Sequence, residues 1–114
     1  MHELGIVFHI IDSVEEVGKE NALQSVQRVT MELGEVSGVV PEALIDCWNW
    51  AKKRSELLKD STMEIETLPA VTLCRACGAE YATVAHGRIC PQCGSEETHL
   101  LTGTQINIKE IAAC

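Results

Sequence analysis

Apolar residues return at intervals of three and four from the start of the chain, at Leu4, Val7, Ile11 and Val14, with Ile10 and Val17 widening the stripe. Asp12, Ser13, Glu15, Glu16 and Lys19 fall elsewhere, so the spacing predicts an amphipathic helix beginning almost at the first residue. Glu3 in its first turn suits the positive end of the helix dipole. Gly18 and the polar Lys19, Glu20 and Asn21 mark where it should stop. The period then becomes two. Over residues 28–33, Val29, Met31 and Leu33 take one face and Arg28, Thr30 and Glu32 the other, which predicts a half-buried strand.

Gly34 and the Ser37-Gly38 pair break that strand, and Pro41 fits the first position of a second helix, with Glu42 in its first turn. Leu44, Cys47, Trp48 and Ala51 share one face of it, while Lys52, Lys53 and Arg54 sit at its end, where positive charge complements the dipole. Alternation resumes over 62–66, closed by Pro69, and again over 105–109, which predicts two more strands. The fold class expected is α+β: a small three-stranded sheet with two helices and an inserted zinc-ribbon-like module. In domain terms, residues 1–70 and 103–114 form the main domain, and residues 71–102 the insertion.

The insertion holds the strongest chemical signal. Cys74-Arg75-Ala76-Cys77 and Cys90-Pro91-Gln92-Cys93 stand twelve residues apart, and each is followed directly by a glycine, Gly78 or Gly94. Two Cys-x-x-Cys turns can direct four thiolates at one ion, and the glycines relieve crowding where backbone amides point toward sulfur. Four soft thiolates at tetrahedral corners suit zinc, with iron as the competitor.

Composition narrows the setting. The chain has 114 residues, 46% of them hydrophobic, enough for one modest core with a small metal-stapled module. No signal-peptide pattern opens it, so its six cysteines are expected in a reducing cytoplasm rather than a disulfide scaffold. The apolar run near the start is too short for a membrane span. Nine basic against seventeen acidic residues give a net charge of −8, which disfavours nucleic acid as a partner. Phosphate-loop, dinucleotide, His-Glu-x-x-His and nucleophile-elbow motifs are all absent, and no enzymatic activity is expected.

The remaining candidates divide by position. Cys47, on the apolar face of the second helix, reads as a small core residue, and Cys114 as a terminal residue without a role. His9, His86 and His99 read as packing or surface residues. His2 differs. An α-amine, the amide nitrogen of residue 2 and the His2 imidazole can close adjacent chelate rings, with the amide of Glu3 nearby, a nitrogen set suited to square-planar Ni(II) or Cu(II). A histidine at position 2 also arises by chance, and spacing alone does not choose.

Met1-His2-Glu3-Leu4, the segment from Leu33 to Val39, Pro41-Glu42-Ala43-Leu44, Met63-Glu64-Ile65-Glu66 and Cys90-Pro91-Gln92-Cys93-Gly94 occur in an order and spacing that resemble the HypA/HybF family of hydrogenase maturation nickel chaperones. The resemblance implies a non-enzymatic metallochaperone whose α+β domain binds the transported Ni(II) at Met1, His2 and Glu3. It also implies structural Zn(II) at Cys74, Cys77, Cys90 and Cys93. Its implied partners are the HypB GTPase and the [NiFe]-hydrogenase large subunit; departures from the family pattern over residues 47–54 and 111–114 leave urease maturation proteins as the other candidate, and the sequence does not choose between monomer and homodimer. Two rivals carry only the cysteines: a zinc-ribbon nucleic-acid or transcription adaptor, and an iron-bearing redox protein.

Overall fold

The computed structural model describes residues 3–114, which form two compact units. The first gathers the residues up to Glu32, Val39–Glu66 and Asn107–Cys114; the second comprises Leu33–Gly38 and Thr67–Ile106. No described helix is long and apolar enough to cross a membrane.

The first unit opens with helix α1, Glu3–Glu20, which buries Val7, Ile10, Ile11, Val14 and Gly18. Leu4 and Val17, at the edges of the expected stripe, are more than a third exposed. The helix ends at Glu20, inside the stretch from Gly18 to Asn21 expected to stop it. A Cβ at Gly18 would stand 2.6 Å from Leu57 Cδ2, so the glycine serves a close side-chain contact. The stop comes at Ala22, whose φ of 52° is left-handed, and the Leu23 amide donates back to the Gly18 carbonyl at 2.9 Å. That pair of features is a Schellman ending, made here without glycine at the left-handed position.

Strand β1, Val26–Gly34, is central in a three-stranded sheet ordered β2-β1-β6, with β2 over Thr62–Leu68 and β6 over Ile106–Ala113. A central position explains why β1 is more enclosed than alternation implied: Thr30, on the expected polar face, is only 8% exposed. Arg28 reaches Glu64 at 3.8 Å and Glu110 at 3.4 Å, and Lys109 reaches Glu66 at 2.6 Å, so charge pairs link the strands across a solvated face. Such exposed pairs add little stability.

Helix α2, Pro41–Ala51, begins on Val40 without a side-chain cap, and Pro41 supplies the preset φ of a first helical residue. It packs against α1 and buries Leu44, Trp48 and Ala51. Cys47 is only half-buried, not a core residue, because its side chain lies in a shallow hollow with Leu4, Asp46 and Trp50. The basic run occupies a separate 3-10 turn, Lys52–Arg54. There Lys52 Nζ donates to the Ser61 carbonyl at 2.6 Å, and the Arg54 guanidinium lies 4.3 Å from the Trp50 ring centroid.

The second unit is built on an antiparallel sheet ordered β4-β3-β5, with β3 over Val71–Cys74, β4 over Glu80–Ala82 and β5 over Thr98–Thr102. Leu73 pairs with Glu80 on one side and His99 on the other. Between the two cysteine pairs the chain forms β4 and then a single helical turn, α3, Thr83–His86.

Candidate metal centre

The two Cys-x-x-Cys turns fold alike. In the first, the Cys74 amide donates to Ala79 O at 2.8 Å and the Gly78 amide to Cys74 O at 2.8 Å. In the second, the Cys90 amide donates to Ser95 O at 3.0 Å and the Gly94 amide to Cys90 O at 2.9 Å. Gly78 and Gly94 have φ of 80° and 74°, left-handed values that glycine adopts without a Cβ penalty. The same residue spacing therefore produces the same local geometry twice. The chain leaves β3 directly into the first turn, since Cys74 is the last residue of that strand.

All four ligand sulfurs lie within 4.8 Å of one another. Cys74 Sγ is 3.5 Å from Cys93 Sγ, and Cys77 Sγ is 3.6 Å from Cys90 Sγ. A zinc ion with Zn–S bonds of about 2.3 Å needs a tetrahedron of sulfurs with edges of about 3.8 Å, so the cluster matches the ion in donor type and spacing. Zinc in this cage would bridge the two turns and leave no coordination position open. With four thiolates and one zinc ion, the formal charge of the chain moves from −8 to −10, being −8 − 4 + 2.

Backbone amides and neighbouring sulfurs set the thiols apart electrostatically. The Cys93 amide, with help from that of Gln92, stabilises the Cys90 thiolate and brings its pKa down to about 6. The Ser95 amide favours a thiolate at Cys93, yet the Cys74 thiol and loss of solvent together push Cys93 up to about 12. The Ala79 amide acts likewise on Cys77, where the Cys90 sulfur and desolvation again prevail and raise it. The metal-free cluster thus holds protons that an incoming cation must displace.

Tyr81 and Ala79 pack against the two buried sulfurs, Cys74 and Cys90. The Tyr81 hydroxyl donates to Gly87 O at 2.9 Å, and its ring meets His86 edge to face with centroids 5.8 Å apart. Sequence reasoning assigned Tyr81 no part. The available signal was its place between the cysteine pairs, where an aromatic residue in a short strand has little else to cover. Among the described residues the metal cluster includes no histidine: His86 stands on Tyr81, His99 is exposed on β5, and His9 is exposed on α1. Of the residues expected to hold nickel, Met1 and His2 lie outside the described residues. Glu3 is the first residue of α1, and its Oε2 accepts a hydrogen bond from the Val40 amide at 3.4 Å, at the start of α2.

An α+β fold with a three-stranded sheet, helices and a second small sheet bearing a four-cysteine zinc site defines a zinc-stapled protein whose sulfur cage is closed to catalysis. Residues 1–113 match the family described as hydrogenase/urease nickel incorporation, metallochaperone, hypA. The hydrogenase maturation factor HypA of Albidiferax ferrireducens is 31% identical over 111 residues, covering 97% of this chain and 97% of that protein. Its counterpart from Trichormus variabilis is 37% identical over 111 residues, covering 97% and 94%. The solution structure of the Ni metallochaperone HypA from Helicobacter pylori superimposes with a TM-score of 0.72 at 21% identity, covering 99% of this chain and 97% of that one. The chain belongs to the HypA family: it is a non-catalytic nickel metallochaperone of hydrogenase maturation, with a four-cysteine zinc site. Membership removes both rivals, the nucleic-acid adaptor and the iron protein, because neither accounts for the match outside the cysteines.

Proposed function

We propose that nickel is carried at Met1, His2 and Glu3 and passed by ligand exchange to the [NiFe]-hydrogenase large subunit, with the HypB GTPase as helper, in the cytoplasm. The urease system is the second recipient to test, because the family description covers nickel incorporation into both enzymes. The observation that carries this reading is the start of α1 at Glu3, the third residue of the proposed nickel set. Glu3 is also tied to the Val40 amide, so one element of the site is anchored to α2. Amine, amide and imidazole nitrogens suit Ni(II), whereas the soft sulfur cage retains zinc, and donor type keeps the two metals apart. A terminal site admits an incoming ligand; a closed tetrathiolate does not. The zinc module then has a structural part and nickel is the cargo.

The test counts nickel bound per chain by equilibrium dialysis in zinc-loaded protein. The parent, His2→Ala, and a version with one residue added before Met1 are compared. Binding is expected to fall in both variants while zinc content stays constant. Equal nickel in all three eliminates the terminal site. Zinc should be lost from Cys74→Ala and Cys90→Ala instead.

A further inference from the structure

Burial divides the four sulfurs by their place in the turns. Cys74 and Cys90, the first cysteine of each, are 0% and 2% exposed, behind Tyr81 and Ala79. Cys77 and Cys93, the second of each, are exposed. Zinc neutralises part of the thiolate charge without removing the sulfur lone pairs, so an electrophile can still attack a sulfur that it can reach. Only the second cysteine of each turn is open to it. Each exposed sulfur also touches a buried one across the cluster, Cys77 with Cys90 at 3.6 Å and Cys93 with Cys74 at 3.5 Å. An accessible thiolate beside a shielded resolving thiol is the arrangement in which oxidation proceeds to a disulfide.

We propose that Cys77 and Cys93 are the sites at which peroxides modify this protein, that Cys90 and Cys74 respectively resolve them, and that the zinc ion leaves as a result. In the first step the Cys77 thiolate attacks one peroxide oxygen, the O–O bond breaks and hydroxide departs. Sulfur is oxidised by two electrons to a sulfenic acid as the peroxide is reduced. In the second, the Cys90 thiolate attacks the Cys77 sulfur, the S–S bond forms and the S–O bond breaks. Hydroxide again departs and is protonated to water. Two thiols and one hydrogen peroxide give one disulfide and two waters. A second equivalent acts on Cys93 and Cys74. Once two thiolates are consumed, zinc retains only half its donors. The disulfides therefore cross between the turns, whereas sequence proximity alone would pair Cys74 with Cys77 and Cys90 with Cys93. This chemistry is independent of where nickel is held.

The experiment uses the zinc-loaded full chain with Cys47→Ser and Cys114→Ser, which removes the half-buried and exposed cysteines outside the cluster. Hydrogen peroxide is added below one equivalent with dimedone present, adducts and disulfides are located by peptide mass mapping, and zinc is followed with a chromogenic chelator. Dimedone is expected on Cys77 and Cys93 before Cys74 or Cys90. Without dimedone, Cys77–Cys90 and Cys74–Cys93 disulfides should form as zinc appears. Adducts arising evenly on all four cysteines, or disulfides predominantly within the turns, overturn the proposal. Iodoacetamide labelling of the unoxidised protein reads accessibility without redox chemistry, and equal labelling of all four cysteines overturns it as well.

Discussion

Gly34, the last residue of β1, lies against Gly103: a Cβ added at Gly34 would overlap the Gly103 carbonyl and stand 2.6 Å from the Thr104 amide nitrogen. The approach is close because the backbones bond there, with the Gly34 amide donating to Gln105 O at 2.7 Å and the Val36 amide to Gly103 O at 2.9 Å. These bonds lie inside the second unit, on the two segments that lead into and out of it. Gly34→Ala should destabilise the protein by about 1–3 kcal/mol, because backbone rather than a flexible side chain must yield. Urea unfolding of the zinc-loaded protein measures this, and a change within about 0.5 kcal/mol would show that the segments separate freely.

The first unit has a comparable dependence at Trp48, whose buried indole N–H donates to Ser61 Oγ at 3.1 Å, while that hydroxyl donates to Leu58 O at 2.6 Å. Both side chains are fully buried. Ser61→Ala leaves the indole donor unpaired away from water and should cost about 1–3 kcal/mol. Trp48→Phe in the same background removes the orphan donor, so the second substitution should cost less there than in the parent. Strict additivity in that double-mutant cycle would contradict the hydrogen bond's importance.

In the metal turns, Gly78 and Gly94 have open space around them, so alanine meets no clash and is disfavoured by backbone conformation alone. Gly78→Ala and Gly94→Ala should each cost about 1–2 kcal/mol. Zinc affinity should weaken by about 5- to 30-fold, and Asn, which tolerates left-handed φ, should recover part of it. Competition against a calibrated zinc chelator gives the ordering; alanine and asparagine variants with parental affinity would refute it.

Proton release accompanies zinc loading. At pH 7 the Cys90 thiol, lowered to about 6, is already largely ionised, whereas Cys93, at about 12, and Cys77, also raised, still hold protons. Zinc displaces those protons, so affinity falls with falling pH, by about tenfold per pH unit for each proton that leaves. Below pH 6 the Cys90 proton adds to the loss. Calorimetry in buffers of different ionisation heats counts the protons directly. A count near zero at pH 7 would mean that the cluster is fully ionised before zinc arrives.

The elements were legible wherever a period persisted. The three- and four-residue spacing from Leu4 to Val14 became α1, and the alternation of Val29, Met31 and Leu33 became the buried face of β1. The four cysteines were legible because two identical short turns announce the same geometry twice. Glycine marked the ends but not the reasons for them. The helix α1 ends two residues past Gly18, where Leu57 packs, and β1 ends at Gly34, where another stretch of backbone comes close. Cys47 read as core because its helical face was right, but burial along that face is uneven: Trp48 is fully buried and Cys47 only half so.

By itself the sequence determined α1, α2, the three long strands, the four clustered cysteines and the family, because each is written in local spacing or in the order of segments along the chain. Only the tertiary structure decided which strand is central, which glycines are required by contact, and which two of the four sulfurs are shielded. Those depend on what a residue meets from a distant part of the chain. Local periodicity assigns a face to a side chain; folding alone assigns it a neighbour.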